Sequence, residues 1–344
     1  MATDYILFIH GVNTRPARQP FILTHGDDAK TRPNPKQSSF AQDLIELIEH
    51  CNQTSKSPLN IKSVPLNWYE LMLDAEQQLL NWFCASPDWN KFWFKDFRRT
   101  QILPFTGDAA LYLSRYIGSD VVDKLKDDAK AALQGCNPQQ DRLHLVTHSW
   151  GTVVFFDILF AGRWDDPDIP GYASAQAIRR QLFGVDPQPN QGIRLASIHT
   201  LGSPIALANL INVKRLKEKP GEELTEGQIK SIFTHDITYG LEQLLKNLYE
   251  LRHKKLPWRN FAHPGDPIAY PLATVIPELV DGERRYLDIQ DILTRGTGPL
   301  EWLARLLSWS FLALVNGGSA HLSYWKNKNV AQAILKIIHQ SAQE

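Results

Sequence analysis

Tyr5 to Ile9 form an unbroken apolar run that stops abruptly at His10-Gly11. Short continuous runs of β-branched and aromatic side chains suit a strand covered on both faces, as in a parallel sheet. A polar, Pro-rich stretch from Thr14 to Gln37 reads as loop, after which Ser38-Ser39 can cap a helix whose Phe40, Leu44, Ile45 and Ile48 share one face. Ile61 to Leu66, Leu143 to Thr147, Ile193 to Thr200 and Trp258 to Ala262 are further strand candidates. Helical patterns fall between and after them, at about Gly107 to Leu133, Gly151 to Phe160 and Val330 to Ile338. Strand and helix in alternation predict an α/β fold, a mostly parallel central sheet with helices on both faces.

Three stretches do not fit that alternation and are read as helical, lid-like insertions. Residues 68–106 carry Trp82, Phe83, Trp89, Phe92, Trp93, Phe94, Phe97 and Phe105 among Lys91, Lys95, Arg98 and Arg99, a cap insertion or else a second layer of core. Residues 205–256 form a helical and charged insertion whose run from Lys214 to Glu226 is a solvated excursion. Trp302 to Val315 is an apolar helix interrupted by Arg305, too short to span a bilayer.

Length and composition narrow the picture without deciding it. At 344 residues, with 43% hydrophobic positions, the chain can bury one large core, so residues 1–344 are taken as a single domain with insertions. Lys+Arg and Asp+Glu both number 37, which gives no electrostatic reason to expect nucleic acid. Cys51, Cys84 and Cys136 are odd in number and far apart, the pattern of free thiols in a reducing compartment. The chain enters a strand within four residues of Met1, with no basic leader, so a soluble, cytoplasmic protein is expected. Oligomeric state is not set by any of these features.

The strongest chemical signal is Leu143-His144-Leu145-Val146-Thr147-His148-Ser149-Trp150-Gly151-Thr152. An apolar strand runs straight into a Ser, and a helix begins at once. A sharp turn of this kind lifts the Ser oxygen above the sheet edge, and small residues two positions to either side let strand and helix nearly touch. Gly151 meets that need on one side; on the other Thr147 stands where Gly is usual, giving T-x-S-x-G. The competing explanation is a Ser that merely caps a helix.

His10-Gly11-Val12-Asn13 supplies a second, weaker signal. Acyl transfer places negative charge on a carbonyl oxygen, and two backbone N–H groups must already point at it. A loop opening with His-Gly can set the N–H of Val12 beside that of Trp150. His10 and Gly11 are then supporting residues, as is Gly151.

Together these stretches resemble the α/β-hydrolase superfamily, in particular bacterial lipases and esterases, and the resemblance runs from Tyr5 to the C-terminal helix. It implies a chain order of Ser, then acid, then His, with each partner on a loop at the carboxyl end of a later strand. Thr200-Leu201-Gly202-Ser203-Pro204 is similar to the turn after the strand that follows the nucleophile. The stretch from Asn260 to Ala269 resembles the acid loop and puts the acid at Asp266, with Asp281, Asp288 and Asp291 as competitors. Ala320-His321-Leu322-Ser323-Tyr324-Trp325 resembles the catalytic His loop. The implied set is Ser149 as nucleophile, His321 as general base and Asp266 as its orienting acid. His263 precedes the acid and is expected to stabilise its loop, and His148 is expected to point away from the site.

The function implied is hydrolysis of carboxylic esters through an acyl-enzyme, on a small-molecule or lipid substrate, with peripheral membrane contact through the aromatic segment. An acyl thioesterase or peptidase on the same fold stays open, as does a non-catalytic binding or membrane-peripheral protein. Eleven histidines include no H-E-x-x-H pair, and no G-x-G-x-x-G or P-loop pattern occurs, so no metal or cofactor is expected.

Overall fold

The computed structural model describes residues 2–11, 40–68, 71, 73–99, 103, 115–208, 235–294 and 320–343. The predicted loop at 14–37, its capping serines, the charge run at 214–226 and the apolar helix at 302–315 lie outside the described residues.

Six strands form one parallel sheet: β1 (Asp4–Ile9), β2 (Ile61–Leu66), β3 (Arg142–His148), β4 (Arg194–Leu201), β5 (Leu256–Ala262) and β6 (Leu287–Leu293). Their spatial order is β2-β1-β3-β4-β5-β6, so the chain winds one way from β1 and the other way from β3. This is an α/β fold, consistent with α/β-hydrolase-like architecture.

Side chains alternating along the strands, with one shift in β4 between Leu195 and Ser197, feed two cores. Leu7, Ile9, Leu145 and Ile198 face one side, where they meet α3 (Arg115–Ala132), α4 (Trp150–Phe160), α5 (Tyr172–Arg179) and α6 (Thr238–Arg252). Ile6, Phe8, Val146, Leu201 and Phe261 face the other, beneath α1 (Gln42–Gln53) and α8 (Lys328–Ala342). Helix α4 is apolar on nearly every face, Thr152 and Asp157 aside, which fits its burial against both sheet and helices. Two further elements are α2 (Leu73–Ala85), in the aromatic segment, and the short α7 (Val275–Val280).

Two elements depart from the sequence pattern. Tyr172–Arg179 is a helix between α4 and β4 that the hydrophobic pattern did not mark, and Gly171 at φ 89° supplies the turn that starts it. Edge strand β6 has the sequence LDIQDIL; it pairs with β5 alone and only its Leu287 is fully buried, which leaves room for its polar positions.

One buried polar line crosses the second face. Arg142 holds Asp4 through two hydrogen bonds of 2.7 and 2.8 Å. His144 Nε2 donates to Asp4 Oδ1 at 3.1 Å, and its Nδ1 accepts from the Ser197 hydroxyl at 2.7 Å. Ser197 Oγ in turn accepts from His199 Nε2 at 2.8 Å. Burial pushes both imidazoles below their ordinary pKa, which keeps them neutral and gives the line that direction.

Candidate active site

Strand register puts the site together. Ile9 pairs with Thr147, His148 with Leu201, and Leu201 with Phe261. The residues that leave these strands, His10, Ser149, Gly202 and His263, therefore emerge in a row along one sheet edge. The row begins between β1 and β3, where the winding reverses, the crevice in which open α/β sheets hold ligands.

Ser149 has φ 54° and ψ −135°, a conformation that costs a non-glycine residue roughly 1–3 kcal/mol. The surrounding contacts hold it there: its N–H donates to Leu201 O at 2.9 Å, and its carbonyl accepts from Thr152 N at 3.1 Å. Two glycines make the turn sterically feasible. A Cβ on Gly151 would lie 2.0 Å from His10 O, and one on Gly11 would lie 2.3 Å from Ser149 Cβ. Thr147 is accommodated where Gly is usual because its side chain faces the first turn of α4 and bonds Thr152 Oγ1 at 2.9 Å.

His321 and Asp266 are brought together. His321 Nδ1 donates to Asp266 Oδ2 at 2.8 Å, with both residues buried. That hydrogen bond fixes the tautomer and leaves Nε2 as the acceptor. Neither His321 Nε2 nor Ser149 Oγ has a hydrogen-bond partner among the described residues, although both atoms are buried. Burial alone would raise the pKa of Asp266, but His321, the Ile268 N–H and the Tyr324 hydroxyl more than offset it and hold the carboxyl below the usual range. His321 sits on a helical turn rather than in a loop.

The competing acids are all committed to backbone or to a cation. Asp281 accepts from the N–H groups of Arg285, Tyr286 and Leu287, closing a turn. Asp288 pairs with Arg259 at 2.6 Å. Asp291 takes the Asn260 amide and the Leu272 and Ala273 N–H groups, and so shapes the chain that follows the acid loop.

The supporting histidines each have a visible task. His10 Nε2 accepts from Trp68 N, its carbonyl accepts from Trp68 Nε1, both at 3.1 Å, and its ring stacks on the Trp68 ring at 5.1 Å. Burial depresses its pKa to about 4, so it stays neutral. His263 Nδ1 accepts from Gly265 N at 3.0 Å and its carbonyl from Asp266 N at 2.9 Å, which folds the acid loop. His148 corrects the expectation that it points away: its ring centroid is 4.5 Å from that of His321, and its Nε2 donates to His321 O at 2.8 Å. Burial and the neighbouring His321 push His148 down to about 3.

Sequence reasoning missed two parts. Tyr324 donates to Asp266 Oδ2 at 2.8 Å and accepts from His263 N at 2.8 Å, tying the acid loop to the His turn. Its position three residues after His321, one helical turn on, was the available signal. Gly202, at φ 55°, lies against the acid and base: a Cβ there would be 2.6 Å from Asp266 Oδ2 and 3.1 Å from His321 Nδ1. Of the residues expected to bind an oxyanion, Trp150 begins α4, where a first-turn N–H has no intrahelical partner. Val12 lies outside the described residues. Among the described residues no three His, Cys, Asp or Glu side chains gather as a metal site requires.

No family model and no curated protein matches this chain. Among solved structures it is similar to a thioesterase of the prodiginine biosynthetic pathway, RedJ of Streptomyces coelicolor. That match covers 88% of this chain and 84% of the other, at 14% identity and a TM-score of 0.27. A likeness of that size carries no functional argument, so the chemistry rests on the chain's own residues.

Proposed function

We propose that this chain is a serine hydrolase of carboxylic esters, of lipase or esterase type, acting through an acyl-enzyme on Ser149. The observation that carries the reading is that Ser149, on strained backbone at the head of α4, and His321, whose imidazole is held by Asp266 at 2.8 Å, each keep a buried atom, Oγ and Nε2, without a hydrogen-bond partner among the described residues.

In this reading Ser149 Oγ attacks the ester carbonyl carbon while its proton passes to His321 Nε2. Asp266 stabilises the imidazolium that forms and does not itself take the proton. The carbonyl oxygen becomes an oxyanion facing the Trp150 N–H, with the Val12 N–H as the second donor the sequence suggests. Collapse breaks the bond to the alkoxy oxygen, which leaves with the proton from His321. Water then attacks the acyl-enzyme by the same route in reverse, giving the acid and free Ser149.

The test is labelling with a fluorophosphonate, which needs an activated serine but no knowledge of the natural acyl group. Wild type should be phosphonylated at Ser149, located by peptide mapping, and Ser149→Ala should not react. A folded wild type that resists the probe would remove the catalytic reading. Turnover of an oxygen ester against the thioester of the same acyl chain then fixes the leaving group, and strong preference for the thioester would replace esterase by thioesterase.

A further inference from the structure

Every exposed Trp and Phe among the described residues falls in one stretch, at Trp82, Phe83, Phe92, Trp93 and Phe94. Trp93 is 79% exposed, Trp82 64% and Phe94 63%, far beyond what a core layer would leave in water. The rings are not scattered. Phe83 stacks on Trp89 at 6.0 Å, Trp89 stacks on Phe92 at 6.1 Å, and the Arg98 guanidinium lies over the Phe92 ring at 5.4 Å.

Charge in the same stretch departs from the rest of the chain. Residues 82–99 contain Lys91, Lys95, Arg98 and Arg99 against Asp88 and Asp96, four cations to two acids, in a chain whose charges balance overall. Lys91 and Arg99 bond those two acids. Lys95 donates to the Asn90 amide and Arg98 to the Trp93 carbonyl, which leaves their positive charge to the surface.

We propose that this aromatic and basic surface docks onto an anionic lipid bilayer. Aromatic rings settle at the boundary between headgroups and acyl chains, while lysine and arginine stems lie along apolar surface and carry their charge to lipid phosphates. The rings project from the end of α2, from a 3-10 turn at Trp89–Lys91 and from the residues just beyond it. Trp82 and Phe83 are adjacent on a helix and so point about 100° apart. A soft bilayer takes up such uneven projections, whereas a rigid protein partner would need a separate pocket for each. Among the described residues no helix is long and apolar enough to cross a membrane, so the contact proposed is with one leaflet.

Vesicle flotation tests this independently of the catalytic reading. Full-length protein should float with phosphatidylcholine vesicles containing about one third phosphatidylglycerol, should bind pure phosphatidylcholine less, and should dissociate as salt rises. The double variant Trp93→Ser, Phe94→Ser should lose about tenfold or more in affinity, with unchanged circular dichroism and unchanged fluorophosphonate labelling. Lys91→Glu, Lys95→Glu should lose the preference for anionic vesicles while keeping the fold. Ser149→Ala should float like wild type, so a failed labelling experiment leaves this result standing. Three results would overturn the proposal: no flotation of wild type, equal flotation of the aromatic variant, or a wild-type dimer in light scattering that the aromatic variant converts to monomer.

Discussion

Gly202→Ala puts the proposed acid–base pair under the most direct structural stress. The new Cβ would stand 2.6 Å from Asp266 Oδ2, 2.8 Å from the Tyr324 ring and 3.1 Å from His321 Nδ1. The His321–Asp266 hydrogen bond spans 2.8 Å, so a methyl group beside both ends must push at least one of them away. A displacement near 1 Å at a reacting group costs about a hundredfold in rate. Alanine at φ 55° adds roughly 1–2 kcal/mol of left-handed backbone strain.

Two controls separate the causes. Gly135 is at φ 80° with nothing within 4 Å of an added Cβ, so Gly135→Ala reports backbone strain alone. Gly282 also has nothing within 4 Å, and it carries no left-handed φ, so Gly282→Ala should change nothing. The assay is the second-order rate of fluorophosphonate labelling, read beside urea unfolding of each variant. Gly202→Ala should label about a hundredfold more slowly than wild type, and Gly135→Ala should lose stability without losing labelling. A folded Gly202→Ala that labels at the wild-type rate would show that the contact among Gly202, Asp266 and His321 is not part of a working site.

Two other expectations follow from the same geometry. Asp266→Asn sets a carboxamide against the donors His321 Nδ1–H, Tyr324 O–H and Ile268 N–H, so one donor must face another. Labelling should fall by about 10³–10⁴ in a protein that still folds, and a fully reactive variant would take the acid's role from Asp266. The second concerns acid stability. His10 and His148 titrate near 4 and near 3 in the fold, against 6.5 unfolded. As pH falls below 6.5 the unfolded chain takes up protons that the native chain refuses. Stability should therefore drop through that window by up to about 1.4 kcal/mol per pH unit for each of the two. Urea midpoints between pH 7 and pH 4.5 check the slope, and His148→Gln should make it shallower by one proton.

The inner strands were legible because they are largely apolar runs that end at turn residues, and such runs report burial on both faces without outside information. Edge strand β6 escaped because LDIQDIL mixes periodicities, and only its pairing with β5 makes it a strand. At the site, the tight turn around Ser149 could be read from Gly151 and the strand before it, since steric need is local. The contacts of His148 and Tyr324 could not, because each depends on how two segments far apart in the chain meet. His148 reaches His321 across 173 positions, and Tyr324 reaches Asp266 across 58. That Asp281, Asp288 and Asp291 are engaged elsewhere could not be read from the sequence either, because their partners are set by the folded chain.

The polar line through Asp4, His144 and Ser197 bears on how sites of this kind are sought. It contains an aspartate on an imidazole and that imidazole on a serine hydroxyl, at 3.1 and 2.7 Å, the same three groups in the same order. A template search keyed on proximity would score it as complete. Yet Arg142 already occupies the carboxylate, His199 already occupies the hydroxyl, and all three residues are sealed from solvent. At Ser149 and His321 the protein leaves the corresponding bond unmade. Unmet bonding capacity, more than the presence of the right trio, is what separates the proposed site at Ser149 from the saturated look-alike in the same sheet.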